Sequence, residues 1–305
     1  MDGKEIAYHI PVMLQESVDA LNIKEDGIYF DLTFGGGGHS REILRRLGDK
    51  GQLFGFDQDA DALQNIPQGD PRFTFVRSNF RHVARWARYY DALNADGILA
   101  DLGVSSHHFD DASRGFSFRF EGPLDMRMNR SATRTAADVL NTYDAAALTQ
   151  LFKIYGELAS AHRIAKAICQ SRENKPLKTI KDLTTLAAPL LPRNREKKEM
   201  AKLFQALRIE VNGETEALAE MLQAAIKVLK PGGRLVVLTY HSIEDRMVKN
   251  IIRSGNVAGK VEHDFFGHNL SPLRSITAKA LTPTEEEQTN NPRSRSAKLR
   301  VAERI

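Results

Sequence analysis

The chain has 305 residues, 42% of them hydrophobic, with 43 Lys and Arg against 39 Asp and Glu for a formal charge of +4. That length buries one large core, or a large and a small one, and the modest positive charge permits an acidic partner such as nucleic acid without requiring it. The single cysteine, Cys169, excludes an internal disulfide and any cysteine-built metal cluster; no stretch nears the ~20 apolar residues of a membrane span, and MDGKEIAYHIPVM lacks the basic and apolar regions of a secretion signal, so a cytoplasmic protein free of membranes is expected.

In chain order, IYFDLTF from Ile28, QLFGFD from Gln52, FTFVRS from Phe73 and ADGILADLGVS from Ala95 predict four strands. Between them HSREILRRLG, DADALQNI and NFRHVARWARYYDAL have helical spacing, the last with Phe80, Val83 and Trp86 on one face. This alternation is that of a parallel sheet covered by helices. A fifth strand follows the tight turn Lys230-Pro-Gly-Gly233 and runs to His241, after a helix with Leu218, Leu222 and Ile226 on its apolar stripe. Roughly 120 residues separate strands four and five, far more than an ordinary connection needs, so a domain is inserted. Four amphipathic stretches between 113 and 209 make that insertion helical, leaving 1–112 and 210–305 as two segments of one sheet domain. SIEDRMVKNIIRSG predicts a further helix, and NPRSRSAKLRVAERI a last strand with a basic lead-in.

Four consecutive glycines, Gly35 to Gly38, lie where the first strand turns into a helix, a place where backbone N–H groups can approach a nucleotide-like ligand. Asp57, twenty positions after Gly37 at the end of the second strand, is placed to face a ribose. NAD, FAD and S-adenosylmethionine all use such loops. Here Ser40 stands where a dinucleotide fingerprint wants glycine, and the acid Asp31 would repel a pyrophosphate but attract the ammonium of a methionine moiety. The loop has no lysine for a Walker-type phosphate cradle.

DLGVSS brings Asp101 to the carboxyl edge of the sheet, where it can accept a hydrogen bond from a reacting group. Ser105, Ser106, His107 and His108 follow it, but no G-x-S-x-G elbow supports a hydrolase. RGFSFRFEGPLDMRMN interleaves Arg114, Arg119 and Arg127 with Phe116, Phe118 and Phe120, a mixture suited to phosphate contact and base stacking. His263 and His268 lack a supporting ligand set, so no metal is expected. Cys169 sits within an amphipathic helix beside Ile168, as a core thiol; a base methyltransferase of this sequence would therefore modify an exocyclic amine and not a pyrimidine C5.

DLTFGGGGHS, FDQD, DLGVSS, RGFSF, GPLDMRM, FQALRIEVN, KPGGRL, YHSIEDRMVK and NPRSRSAKLR together carry a resemblance that runs nearly end to end, from YHIPVMLQE to VAER. On them the chain resembles the MraW (RsmH) family of bacterial 16S rRNA cytosine-N4 methyltransferases. The resemblance implies an α/β class I Rossmann-like methyltransferase with a mostly parallel seven-stranded sheet, in which the helical insertion 113–209 recognises RNA. It implies S-adenosylmethionine as methyl donor, the N4 of a decoding-centre cytosine as acceptor, and 16S rRNA in the small ribosomal subunit or its precursor as partner; a homodimer is allowed.

Carried onto this chain, the family's cofactor positions are Gly37, Gly38, His39, Asp57, Phe80, Asp101 and His108, the last departing from the S-S-P-Q usual after this strand. Asp101 is the expected catalytic residue, and Arg114, Phe116, Phe118 and Arg127 are expected to hold the nucleotide. Two other readings stay open: an NAD-dependent oxidoreductase using the same loop and Asp57, and an RNA-binding assembly factor with a vestigial cofactor pocket. A DNA amino-methyltransferase ranks below them, because the matched motifs extend beyond the shared cofactor core.

Overall fold

The computed structural model describes residues 11–104 and 109–305. Close contacts divide the chain into a unit formed by Met1–Gly103 with Glu216–Ile305 and a unit formed by Val104–Thr215. The second is wider than the helical stretch 113–209, because Val104 and Phe109 pack on its core and Arg208 reaches Glu214 at 2.8 Å.

The first unit is built on seven strands: β1 (Ile28–Asp31), β2 (Gln52–Asp57), β3 (Phe73–Arg77), β4 (Ala95–Asp101), β5 (Leu229–Thr239), β6 (Leu273–Ser275) and β7 (Lys298–Arg304). Their order is β3-β2-β1-β4-β5-β7-β6. The first five are parallel, while β7 runs antiparallel to β5 and β6 antiparallel to β7. This is the seven-stranded, mostly parallel class I architecture expected. The chain steps outward from β1 to β2 and β3, then returns to place β4 on the other side of β1, which makes the carboxyl ends of β1 and β4 the switch point where doubly wound sheets bind ligands.

The central strands are covered on both faces, so β1, β4 and the second half of β5 read as nearly unbroken apolar runs. Phe30, Phe54, Ile98 and Val237 point to one face, under α3 (Val83–Tyr89), α9 (Glu214–Val228) and α10 (Ser242–Ser254). Tyr29, Leu53, Leu99 and Val236 point to the other, under α1 (Leu14–Ala20) and α2 (Gly38–Arg46). The stretch DADALQNI forms a 3-10 segment, Ala60–Asn65, and not an α-helix; Asp59 caps its start by accepting from Asp61 N. The Lys230–Gly233 turn lies within β5: Leu229 opposes Ala95 and Arg234 opposes Gly97, so the intervening residues loop out as a bulge, with Gly232 at φ 79°.

The second unit packs α4 (Ala136–Thr142), α5 (Ala145–Ile154), α6 (Ala161–Asn174), α7 (Ile180–Ala187) and α8 (Glu196–Asn212) around Leu140, Phe152, Ile164 and Leu203. Thr135 with Asp138 and Thr179 with Asp182 form reciprocal capping boxes, which is why α4 and α7 start where they do. Cys169 packs against this core. Among the described residues, no helix is long and apolar enough to cross a membrane.

Candidate active site

Three neighbouring parallel strands each end in an aspartate: β2 at Asp57, β1 at Asp31 and β4 at Asp101. Asp31 lies opposite both Gly55 and Leu99, so the parallel pairing puts all three carboxylates at one edge, with Asp57 and Asp101 each two residues beyond Asp31.

The loop from Asp31 to α2 closes this edge. Gly35 and Gly37 have φ of 49° and 73°, which only glycine adopts freely. Asp57 holds the loop, its Oδ2 accepting from Gly35 N at 2.9 Å while Oδ1 accepts from Asp59 N at 2.8 Å. A Cβ on Gly38 would lie 2.1 Å from Pro11 Cγ, so this glycine admits close packing of the chain on itself. His39, in the first turn of α2, is buried with Nδ1 4.0 Å from Asp101 Oδ2. Phe80 opens the 3-10 turn after β3, half-buried on the sheet core. Glycine loop, His39, Asp57, Phe80 and Asp101 thus all stand at or just beyond the carboxyl ends of β1 to β4. His108, like Ser105, Ser106 and His107, lies outside the described residues.

Four partners are not evident in the sequence. Ser40, which there is only a departure from the dinucleotide fingerprint, donates its hydroxyl to Asp31 Oδ2 at 2.6 Å. Thr33 accepts from Asp101 N at 2.6 Å, tying β4 to the glycine loop. Tyr240, the residue after β5, donates its hydroxyl to Asp101 Oδ1 at 2.6 Å, and its own N–H goes to Glu244 Oε2 at 2.9 Å. The motif YHSIED is plain in the sequence, but only the adjacency of β5 to β4 reveals which carboxylate it meets.

The electrostatics follow from burial. Asp31 is 1% exposed, and loss of hydration pushes its pKa up to about 6 against the opposing bonds from Ser40 and Thr33. Asp101 is raised further, to about 7, again first by desolvation; the Tyr240 bond opposes this, while the negative charges of Asp31 and Glu244 add to it. Tyr240 is pushed well above its ordinary value by burial and by Asp101. A cluster of acids so short of positive charge suits a cationic ligand and repels a phosphate. S-adenosylmethionine, with its ammonium and sulfonium, fits this donor set; the pyrophosphate of NAD does not.

The nucleotide-holding residues expected in the second unit fare differently. Arg114 is 3% exposed, its guanidinium donating to the carbonyls of Arg127 at 3.1 Å and Met128 at 3.0 Å and lying 5.9 Å from the Phe116 ring centre. Phe116 is itself a core residue, and Phe118 packs edge-on against Phe204. Arg127 is clamped by Asp125 through two bonds, at 2.8 and 2.7 Å. Arg114, which ends a 3-10 turn, and Phe116 are thus buried in their own unit, Arg114 by its bonds to these carbonyls and Phe116 by packing in the helical core. In the turn that follows, Arg119 and Phe120 are both exposed, Phe120 at 42%.

A family model described as "MraW methylase family" matches residues 6–305. Curated relatives named "Ribosomal RNA small subunit methyltransferase H" include one from Bacteroides fragilis, 61% identical over 304 residues, and one from Bacteroides thetaiotaomicron, 60% identical over 304. A third, from Parabacteroides distasonis, is 58% identical over 306 residues; each alignment covers 100% of this chain and 100% of the relative.

Proposed function

The chain belongs to the MraW methylase family, and on that premise we propose that it transfers a methyl group from S-adenosylmethionine to the exocyclic N4 of a decoding-centre cytosine in small-subunit rRNA. The observation that carries this reading is the row of Asp31, Asp57 and Asp101 at the ends of three adjacent strands, closed by a glycine loop that Asp57 anchors. Gly37, Gly38, His39, Asp57 and Phe80 hold the cofactor, Asp57 toward its ribose and Asp31 toward its ammonium. Bound there, S-adenosylmethionine supplies a methyl group activated by its sulfonium.

The remaining work falls to the chain. The N4 lone pair of cytosine is delocalised into the ring, so the amine must be held while its nitrogen rehybridises. Tyr240 occupies Asp101 Oδ1, which leaves Oδ2 for a hydrogen of the amine. As the nitrogen gains its fourth bond and a positive charge, the ionised Asp101 carboxylate takes one proton and later passes it to solvent. The cytosine reaches this edge by leaving its stack. In the helical insertion, Arg119 and Phe120 replace Arg114 and Phe116 as the groups that meet RNA, with Phe118 and Arg127 behind them. Such a protein works in the cytoplasm, where small subunits are assembled.

An Asp101→Ala protein that still binds cofactor tests the catalytic role. Methyl transfer to small subunits lacking the modification is expected to fall about 100-fold or more. Near-normal turnover overturns the role of Asp101. Absence of transfer by the unaltered protein instead favours an assembly factor. Mass-spectrometric mapping of the product identifies nucleotide and atom together.

A further inference from the structure

The connection from β3 to β4 carries a surface that the proposed chemistry does not use. From Arg77 to Tyr90 it contains four arginines and no acidic residue. At 100° per residue, α3 and its lead-in divide cleanly. Val83 and Ala87 are fully buried against the sheet, with Trp86 and Tyr90 packed beside them, Tyr90 5.2 Å from Phe54. The opposite arc presents His82, Arg85, Arg88 and Tyr89, all exposed. Arg81 shares that arc but is drawn 3.5 Å from Glu220. Neither Arg85 nor Arg88 meets a carboxylate among the described residues. The Tyr89 ring is 73% exposed, yet it is fixed by edge-to-face contacts with Trp86 at 5.6 Å and Tyr90 at 4.9 Å.

Position ties this face to the site. Asn79 Nδ2 donates to Gln58 Oε1 at 3.0 Å, so the turn entering α3 is fastened beside Asp57 at the cofactor edge. From there the helix runs back along the sheet for about 10 Å, toward the start of β4, so its first turn lies nearest the site.

We propose that the outward face of α3 docks the sugar–phosphate backbone of the substrate RNA, with Arg85 and Arg88 on phosphates and an unpaired base stacked on Tyr89. The proposal rests on the rRNA-methyltransferase reading above. Charge complementarity selects the occupant. A protein-docking face is centred on contiguous apolar surface with charge depleted at its core, whereas here one aromatic ring stands among unpartnered cations. Arginines with a pre-oriented aromatic ring are the combination that holds single-stranded nucleic acid without reading its sequence. The surface supplies affinity and register beside the site, and the chemistry stays with Asp101.

The test uses the full chain with the double substitution Arg85→Gln and Arg88→Gln. Methyl transfer is measured on unmodified small subunits over a range of salt, alongside binding to protein-free 16S rRNA. KM for subunits is expected to rise about tenfold, with kcat and cofactor affinity unchanged, and the slope of log affinity for free rRNA against log salt to shrink by about 0.7 for each phosphate that is no longer neutralised. Tyr89→Ala is expected to raise KM, and Tyr89→Phe, which keeps a stacking face, to leave it unaltered. If the unaltered protein methylates subunits and the double variant keeps its KM and salt slope, the surface is overturned alone. If KM for subunits rises while affinity for free rRNA is unchanged, the face meets a ribosomal protein and the proposal fails. If the unaltered protein transfers no methyl group to subunits, the functional reading is overturned, and this surface with it.

Discussion

Tyr240 donates its hydroxyl to Asp101 Oδ1 at 2.6 Å across the boundary between β5 and β4, so the expected catalytic carboxylate is held by a residue 139 positions away. Tyr240 is itself braced, its N–H bonded to Glu244 Oε2. The tyrosine does two things: it fixes which Asp101 oxygen is open, and it favours the ionised form of a carboxyl that burial raises to about 7. Tyr240→Phe keeps the ring and removes the donor. A hydrogen bond to a charged group contributes about 1.5–3 kcal/mol, so the acid limb of the kcat/KM profile is expected to move up by about one pH unit or more, with activity at neutral pH falling accordingly. A pH–rate series on the variant checks this; an unmoved limb removes Tyr240 from the mechanism.

Cofactor binding is expected to release protons. Without ligand, Asp31 and Asp101 keep protons to about 6 and about 7, well above the ordinary 3.8, because burial denies their carboxylates hydration. The folded state therefore binds protons that the unfolded chain has lost, and the stability these groups contribute falls as pH rises from about 4 through about 7. A cation placed beside them favours the carboxylates. S-adenosylmethionine affinity should then strengthen with pH between about 5 and 8. Isothermal titration in buffers of different ionisation enthalpy measures the protons released, and a heat independent of buffer refutes the linkage.

Asp57 is expected to serve the loop before it serves any ligand. Its two oxygens accept the N–H groups of Gly35 and Asp59, so Asp57→Ala strands a loop donor and frees the left-handed turn. A loss of about 1–3 kcal/mol of stability is expected. Cofactor affinity should fall at least tenfold, since loop and ribose contact fail together. Denaturant unfolding separates the first effect from a calorimetric Kd for the second. Unchanged stability with weakened binding would make the Gly35 contact dispensable.

Arg114 is expected to behave as a structural residue. Arg114→Ala removes the donors to the Arg127 and Met128 carbonyls and should destabilise the helical unit by about 2–4 kcal/mol. Arg119→Ala, on the exposed side of the same motif, should leave stability within about 0.5 kcal/mol and weaken RNA binding instead. Limited proteolysis of residues 104–215, followed for both variants beside rRNA affinity, distinguishes them. The opposite assignment of effects would restore Arg114 as an RNA contact.

What could be read without coordinates was local. Apolar runs ending in Asp31, Asp57 and Asp101, a glycine turn between strand and helix, and a gap too long for a simple crossover are short-range patterns, because strand period, turn chemistry and connection length are properties of neighbouring residues. They sufficed for a parallel sheet covered by helices and for a helical unit set between its fourth and fifth strands. β6, three residues long, and the bulge within β5 left no periodic signal. Which partner each group meets required the sheet itself. Strand order brings Tyr240 to Asp101 and a helix start brings Ser40 to Asp31, and neither contact lies within a sequence window. Burial required it too. RGFSFRF interleaves arginine and phenylalanine whichever way it faces, and only the folded unit decides that Arg114 turns to the Arg127 and Met128 carbonyls and Phe116 to the helical core. Composition can nominate a basic–aromatic surface; the three-dimensional core selects which of its residues remain outside.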